Sequence, residues 1–222
     1  MKNRAMIIIS ITVFACITMG IVDAIIQPGY LVKSIVKLML FSLLPVLYAL
    51  RHKEYDLKNL FAFRKNGFYI AIALGVGVYA VILAAYILFR NVFDFSGLTS
   101  ELTASTGVTK ENFLFVALYI SFVNSLLEEF FFRGFSFLHL KDCLSRNLAY
   151  TFSSVMFALY HIAMMLGWFS LPVILLALLG LYIGGIIFNY INERFNTIYL
   201  SWLVHMFANF ATNTIGYILF DA

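Results

Sequence analysis

Seven apolar runs dominate the chain, at residues 6–26, 35–50, 67–89, 112–132, 148–166, 171–190 and 198–220. Coiled as a helix, about 20 apolar residues match the roughly 30 Å hydrocarbon core of a bilayer. The alternating pattern of a membrane barrel is absent, and helices are the other structure that satisfies its own backbone inside lipid. The composition agrees, with 63% hydrophobic and 12% charged residues in 222, where a soluble domain averages about 45–50% and about 25%. The expected fold is all-α, a polytopic transmembrane helical bundle of seven to eight spans, the eighth arising if 135–140 re-enters the bilayer. Three spans form an N-terminal region, 1–111, and the rest, 112–222, a helical core. No length remains for a soluble domain of useful size.

The charges orient these spans. With the N-terminus inside, eleven of the fifteen Lys and Arg fall on the cytoplasmic side, Arg51, Lys53, Lys58, Arg64 and Lys65 among them. The other side holds Lys33, Arg90 and Lys110, and Lys37 sits within the second run. This bias predicts an inward basic face anchored against anionic lipid and, for seven spans, an outward C-terminus. Nothing in the net charge of +4 suggests nucleic acid. Lys2 and Arg4 before an apolar run imitate a signal peptide, and the run is read as an uncleaved first span. The polar stretch 91–111, rich in Ser, Thr and Gly, reads as a mobile outer loop. Cys16 and Cys143 do not suggest a disulfide framework.

Polar residues inside such runs are expensive in lipid and usually face a cavity that carries function. Glu128, Glu129 and Arg133 lie in the fourth run, His161 in the fifth, and His205 with Asn209 in the last. Successive helical residues point about 100° apart, so the adjacent carboxylates do not share a face. Glu129 and Arg133, four apart, do share one in the favourable order, and Arg133 is expected to neutralise Glu129. Glu128 is then left without a counter-charge in its own helix, with Asn124 one turn before it, which suits a general base. An ion-paired helix end in the headgroups would explain Glu129 and Arg133 but not Glu128.

His161 alone, or the His205–Asn209 pair alone, could be polar contacts between helices. Together with Glu128 they form a hydrolytic set: a glutamate and a histidine to hold and deprotonate water, and a histidine and an asparagine to donate to an oxyanion. His52 and His139 read as solvated or interfacial, and Gly180, Gly184 and Gly185 as a close-packing face. If the fourth run ends near Arg133, Glu128 and His205 lie roughly 8–11 Å below the cytoplasmic boundary and His161 about 20 Å below it. That mismatch requires the fifth helix to start later or to tilt.

Three stretches carry a family resemblance: Glu128-Glu129-Phe130-Phe131-Phe132-Arg133, followed by Gly134; Phe157-Ala158-Leu159-Tyr160-His161; and His205-Met206-Phe207-Ala208-Asn209. In this order, on separate runs, they resemble the EExxxR, FxxxH and HxxxN motifs of the CPBP family of intramembrane proteases. That group includes the type II CAAX prenyl endopeptidases and the bacteriocin-processing and self-immunity proteins. The resemblance spans about 112–220 and implies a glutamate-dependent endopeptidase without a metal. It makes Glu128 the general base, gives His161 the water, makes His205 and Asn209 the oxyanion hole, and leaves Glu129 and Arg133 as supports.

Two histidines and a glutamate also suit zinc, an alternative left open here, although no HExxH stretch is present. A non-proteolytic scaffold or bacteriocin self-immunity protein on the same fold is the alternative function, yet no motif residue is missing. A transporter would show repeated halves, and no internal repeat is found. The expected partners are the bilayer and a peptide or protein presented at the membrane; the oligomeric state is not legible. A composition leaning to Ile, Phe, Lys and Asn points to a bacterial cell membrane. Prenylated substrates are not expected there, and a pheromone or bacteriocin precursor is a reasonable substrate.

Overall fold

The computed structural model describes residues 2–52, 60–93, 95, 98–167 and 169–221, so Lys53 and Lys58 of the basic segment lie outside the described residues. Among the described residues all regular structure is helical. We label the helices α1 (Asn3–Ile26), α2 (Tyr30–Arg51), α3 (Lys65–Phe89), α4 (Leu98–Thr106), α5 (Lys110–Lys141), α6 (Arg146–Met165), α7 (Leu171–Phe195) and α8 (Ile198–Asp221). Six of them, all but α4 and α8, are long and apolar enough to cross a membrane. α8 has 24 residues, about 36 Å at 1.5 Å per residue. His205, Asn209, Asn213 and neighbouring threonines interrupt it, so it lacks an unbroken stretch as apolar as those of the other six. Large apolar side chains such as Leu175, Leu179, Val81 and Leu88 are exposed along α7 and α3. Contiguous exposed apolar surface of that extent belongs in lipid, and the protein is an integral membrane protein.

Several sequence expectations are corrected. Residues 135–140 do not turn back into the bilayer as a separate segment. They continue α5, which runs unbroken for 32 residues to Lys141. The stretch 91–111 is not simply a loop: it contains α4, anchored where Val108 packs with Phe113 and Ala117. α5 then opens with a capping box between Thr109 and Asn112, which satisfies backbone groups that a helix start leaves open. Of the three α7 glycines only Gly185 serves close packing, because a Cβ there would lie 3.0 Å from Ser154 Cα. A Cβ at Gly180 or Gly184 would meet open space. His139 is not solvated; it lies half-buried on α5 beside Tyr48 and Phe135. The cysteines are free, Cys16 buried and Cys143 half-buried.

Lipid tails are as apolar as leucine, so burial of apolar surface does not drive helices together in a membrane; close packing and polar contacts do. Both are present here. α3 lies along α8, with Gly67 against Leu200 and Gly75 against Phe207. α6 pairs with α7 through Ser153, Ser154 and Asn189, all fully buried and hydrogen-bonded. α5 runs among α2, α6 and α8 and carries the aromatic core of Phe131, Phe132, Phe135 and Phe137.

Four stretches are π-helical: Val22–Ile26 in α1, Met39–Leu43 in α2, and Tyr119–Asn124 and Glu129–Phe137 in α5. Such turns are rare and are often found at functional sites. Among the described residues every buried charged side chain (Asp23, Lys37, Glu128, Glu129 and Arg133) lies in one of these stretches or within two residues of it.

Candidate functional site

Glu128 occupies the short α-helical turn between the two π-helical stretches of α5 and is 2% exposed. Its two oxygens face different neighbours. Oε1 accepts from Asn124 Nδ2 at 3.0 Å and from Lys37 Nζ, which reaches in from α2. Lys37 also donates to Asn124 Oδ1 at 2.5 Å, closing a triangle. Oε2 faces His205 Nε2 at 3.5 Å and His161 Nε2 at 4.0 Å. One side of the carboxylate is therefore held, and the other opens between two imidazoles.

Glu129 points to the far side of the same histidine. Its Oε1 lies 3.0 Å from His205 Nδ1 and 3.4 Å from Arg133 Nη1. The adjacent carboxylates do occupy different faces, and the His205 ring reaches both. Arg133 is fully buried, its guanidinium 4.1 Å from the centre of the Phe157 ring and 4.9 Å from that of Phe188. His205 stacks on Phe188 at 5.1 Å and meets Phe157 edge-on at 5.7 Å. Each carboxylate thus has its own fixed cation, as buried charges require.

His161 is not in mid-helix, as the sequence suggested. It ends the first part of α6, Arg146–Tyr160, and the chain turns there before Ile162–Met165. Its Nδ1 lies 2.7 Å from Phe157 O. A carbonyl only accepts, so Nδ1 carries a proton, and in the neutral form of the ring Nε2 presents a lone pair toward Glu128. Phe157 contributes twice, its ring to Arg133 and His205 and its carbonyl to His161.

Asn209 shares the His205 face of α8, but its Nδ2 donates to Ile120 O at 3.1 Å. Asn213 likewise donates to Ala117 O at 3.2 Å, and Trp202 to Phe122 O at 3.0 Å. These side chains satisfy carbonyls in and just before the π-helical stretch Tyr119–Asn124, where the ordinary helical ladder is widened. One N–H of Asn209 remains beyond the Ile120 bond.

The mismatch between Glu128 and His161 disappears in the structure, while His205 stays about 10 Å from the start of α8 at Ile198, so α8 enters the site from a helix end that lies deeper or tilted. α5 runs eight residues past Arg133, so Glu128 lies about 20 Å from the Lys141 end, and His161 about 22 Å from the start of α6 at Arg146. Both therefore lie at similar distances from the neighbouring basic helix ends. Sequence reasoning missed Lys37 as a site residue and counted it only as a charge. Its signal was there: a lone lysine in an apolar run needs a buried partner. The three groups Glu128, His161 and His205 converge, yet among the described residues no cluster of three or more His, Cys, Asp or Glu is arranged to hold a metal ion.

Residues 110–211 match the family model for the Rce1-like type II CAAX prenyl endopeptidases. The matched segment contains Glu128, Glu129, Arg133, His161, His205 and Asn209. No curated protein and no solved structure matches the chain. The family is one of membrane proteases, which implies a peptide or protein substrate at the membrane.

Proposed function

We propose that this protein is an intramembrane endopeptidase that cleaves a peptide bond with water activated by Glu128 and His161. One observation carries the reading. Glu128 Oε2 and His161 Nε2 stand 4.0 Å apart, and with the glutamate ionised and the imidazole neutral both are acceptors. They cannot bond to each other, but each can take one O–H of the same water. In the proposed step that water's oxygen attacks the scissile carbonyl carbon while Glu128 takes its proton. The tetrahedral oxyanion receives hydrogen bonds from His205, a ring that can carry a proton on both nitrogens between two carboxylates, and from the remaining N–H of Asn209. The C–N bond then breaks, and the proton held by Glu128 passes to the leaving amine. Glu129 and Arg133 keep His205 in orientation. The N-terminal region 1–111 completes the bundle around the core 112–222.

In this reading the basic ends of the helices, with Arg51, Lys141, Arg146 and Arg194, face the cytoplasm of a bacterial cell. The substrate is a membrane-associated peptide precursor. The test uses purified protein in nanodiscs with a pool of internally quenched peptides, the products being mapped by mass spectrometry. The parent is expected to cleave, and folded Glu128→Gln to be slower by about 100-fold to 10,000-fold. Cleavage by Glu128→Gln at the parent's rate would sink the reading. Activity is also expected to survive metal chelators; loss on chelation with recovery on added zinc would recast Glu128, His161 and His205 as ligands.

A further inference from the structure

Lys37 lies outside the family-matched segment and 91 positions from the carboxylate it touches. It is 6% exposed on α2, and its ammonium is flanked by the Tyr160 ring, 4.8 Å to the centroid, and the Phe41 ring at 5.4 Å. Nothing about anchoring α2 in lipid needs a buried lysine, and an apolar residue would pack there without desolvation. Toward the carboxylate, the lysine bonds one of the two oxygens. It takes Glu128 Oε1 together with Asn124 and leaves Oε2 toward His161 and His205. A carboxylate has two equivalent oxygens, and its terminal torsion is broad and nearly two-fold. Without Lys37, Oε1 would keep only the neutral Asn124 bond, a weaker hold on the orientation of Oε2 toward the imidazoles. The π-helical turn of α2 begins two residues after Lys37, at Met39, and so lies on the stretch that presents the ammonium.

We infer that Lys37 is a positioning residue for catalysis: its ammonium fixes Glu128 through Oε1 so that Oε2 is presented to the water site. The inference rests on the reading of Glu128 as the general base. It also gives the N-terminal half a part in the chemistry that the motif-bearing half does not supply. Lys33 is the natural control. It sits one turn earlier on the same face of α2 and pairs with Asp23 at 3.5 Å, away from Glu128.

The experiment measures kcat and KM in nanodiscs with the quenched peptide that the parent cleaves fastest. For Lys37→Met we expect kcat to fall about 100-fold, the effect of misplacing a reacting group by about 1 Å, with KM within about twofold. Lys37→Arg, which keeps the charge, should recover kcat to within about tenfold of the parent, and Lys33→Met, which unpairs the buried Asp23 and lowers the folded yield, should keep the parent's kcat per folded molecule. A purely structural lysine would lower the folded yield but leave kcat per folded molecule unchanged. Should Lys37→Met fold poorly, the double variant Lys37→Met/Glu128→Gln, which removes both charges, is expected to melt higher than Lys37→Met. A double variant melting no higher, or a Lys37→Met enzyme with the parent's kcat, overturns the inference. If Glu128→Gln is inactive while Lys37→Met is unimpaired, only the role of Lys37 fails. If Glu128→Gln is active, the base assignment itself fails.

Discussion

α3 and α5 both pack along α8, and they do so by opposite means. α3 is almost wholly apolar and reaches α8 through missing side chains, with Gly67 and Gly75 letting Leu200 and Phe207 approach. A single hydroxyl pair, Tyr79 with Thr214 at 3.2 Å, supplements that contact. α5 meets the same helix through charge and hydrogen bonds: Glu129 with His205, Ile120 O with Asn209, and Ala117 O and Ser121 with Asn213. In lipid both are workable ways to join helices. They differ in what they can also do. A glycine contact is inert, whereas a buried polar contact already holds the groups that proton transfer needs. The proposed chemistry lies on the polar seam.

Five variants sharpen or break this comparison. The largest expected effect is on the polar seam, where Glu129→Gln leaves the fully buried Arg133 without its counter-charge. Removing one partner of a buried pair costs about 3–5 kcal/mol, so the folded fraction in denaturant titrations should drop sharply. A melting curve unchanged from the parent would show that Arg133 is neutralised by something else.

Asn209→Ala separates chemistry from packing on a single residue. As an oxyanion donor it should slow kcat about 100-fold to 1,000-fold. As a ligand of the Ile120 carbonyl alone, its loss should cost about 1 kcal/mol of stability. Asn213→Ala is the comparison, because that side chain satisfies a carbonyl from the same face of α8 without belonging to the motif. Equal kcat losses in the two variants would reduce Asn209 to a support of the widened turn.

On the apolar seam, Gly75→Leu drives a side chain into Phe207 and is expected to destabilise by about 1–3 kcal/mol. The folded fraction should keep the parent's kcat, since α3 touches none of the proposed catalytic groups. A fall in kcat would mean that α3 sets the position of His205. Tyr79→Phe should show the smallest effect, about 0.6 kcal/mol, the average of hydrogen bonds between membrane helices. A loss of several times that value would mean that the α3–α8 seam also depends on polar contact.

How much of this was legible depends on whether a feature is local. Glu128, Glu129, Arg133, His161, His205 and Asn209 stand out because polar residues interrupt apolar runs, and the Glu129–Arg133 pair follows from helical spacing alone. The sequence determined an all-helical membrane bundle and named these six residues. The convergence of His161 and His205 on the two glutamates was decided by helix packing. The clamp on Glu128 was not legible, because Lys37 finds its partner across 91 positions and only the packing of α2 on α5 brings them together. The π-helical turns were not legible either, since widening one turn leaves the hydropathy pattern intact while it rotates every side chain beyond it. The end of α5 was set too early, at the charges near Arg133. In the tertiary structure Arg133 is fully buried between aromatic rings and the helix continues to Lys141. A charge marks the membrane boundary only when it lacks a buried partner, and whether it has one is a property of the fold.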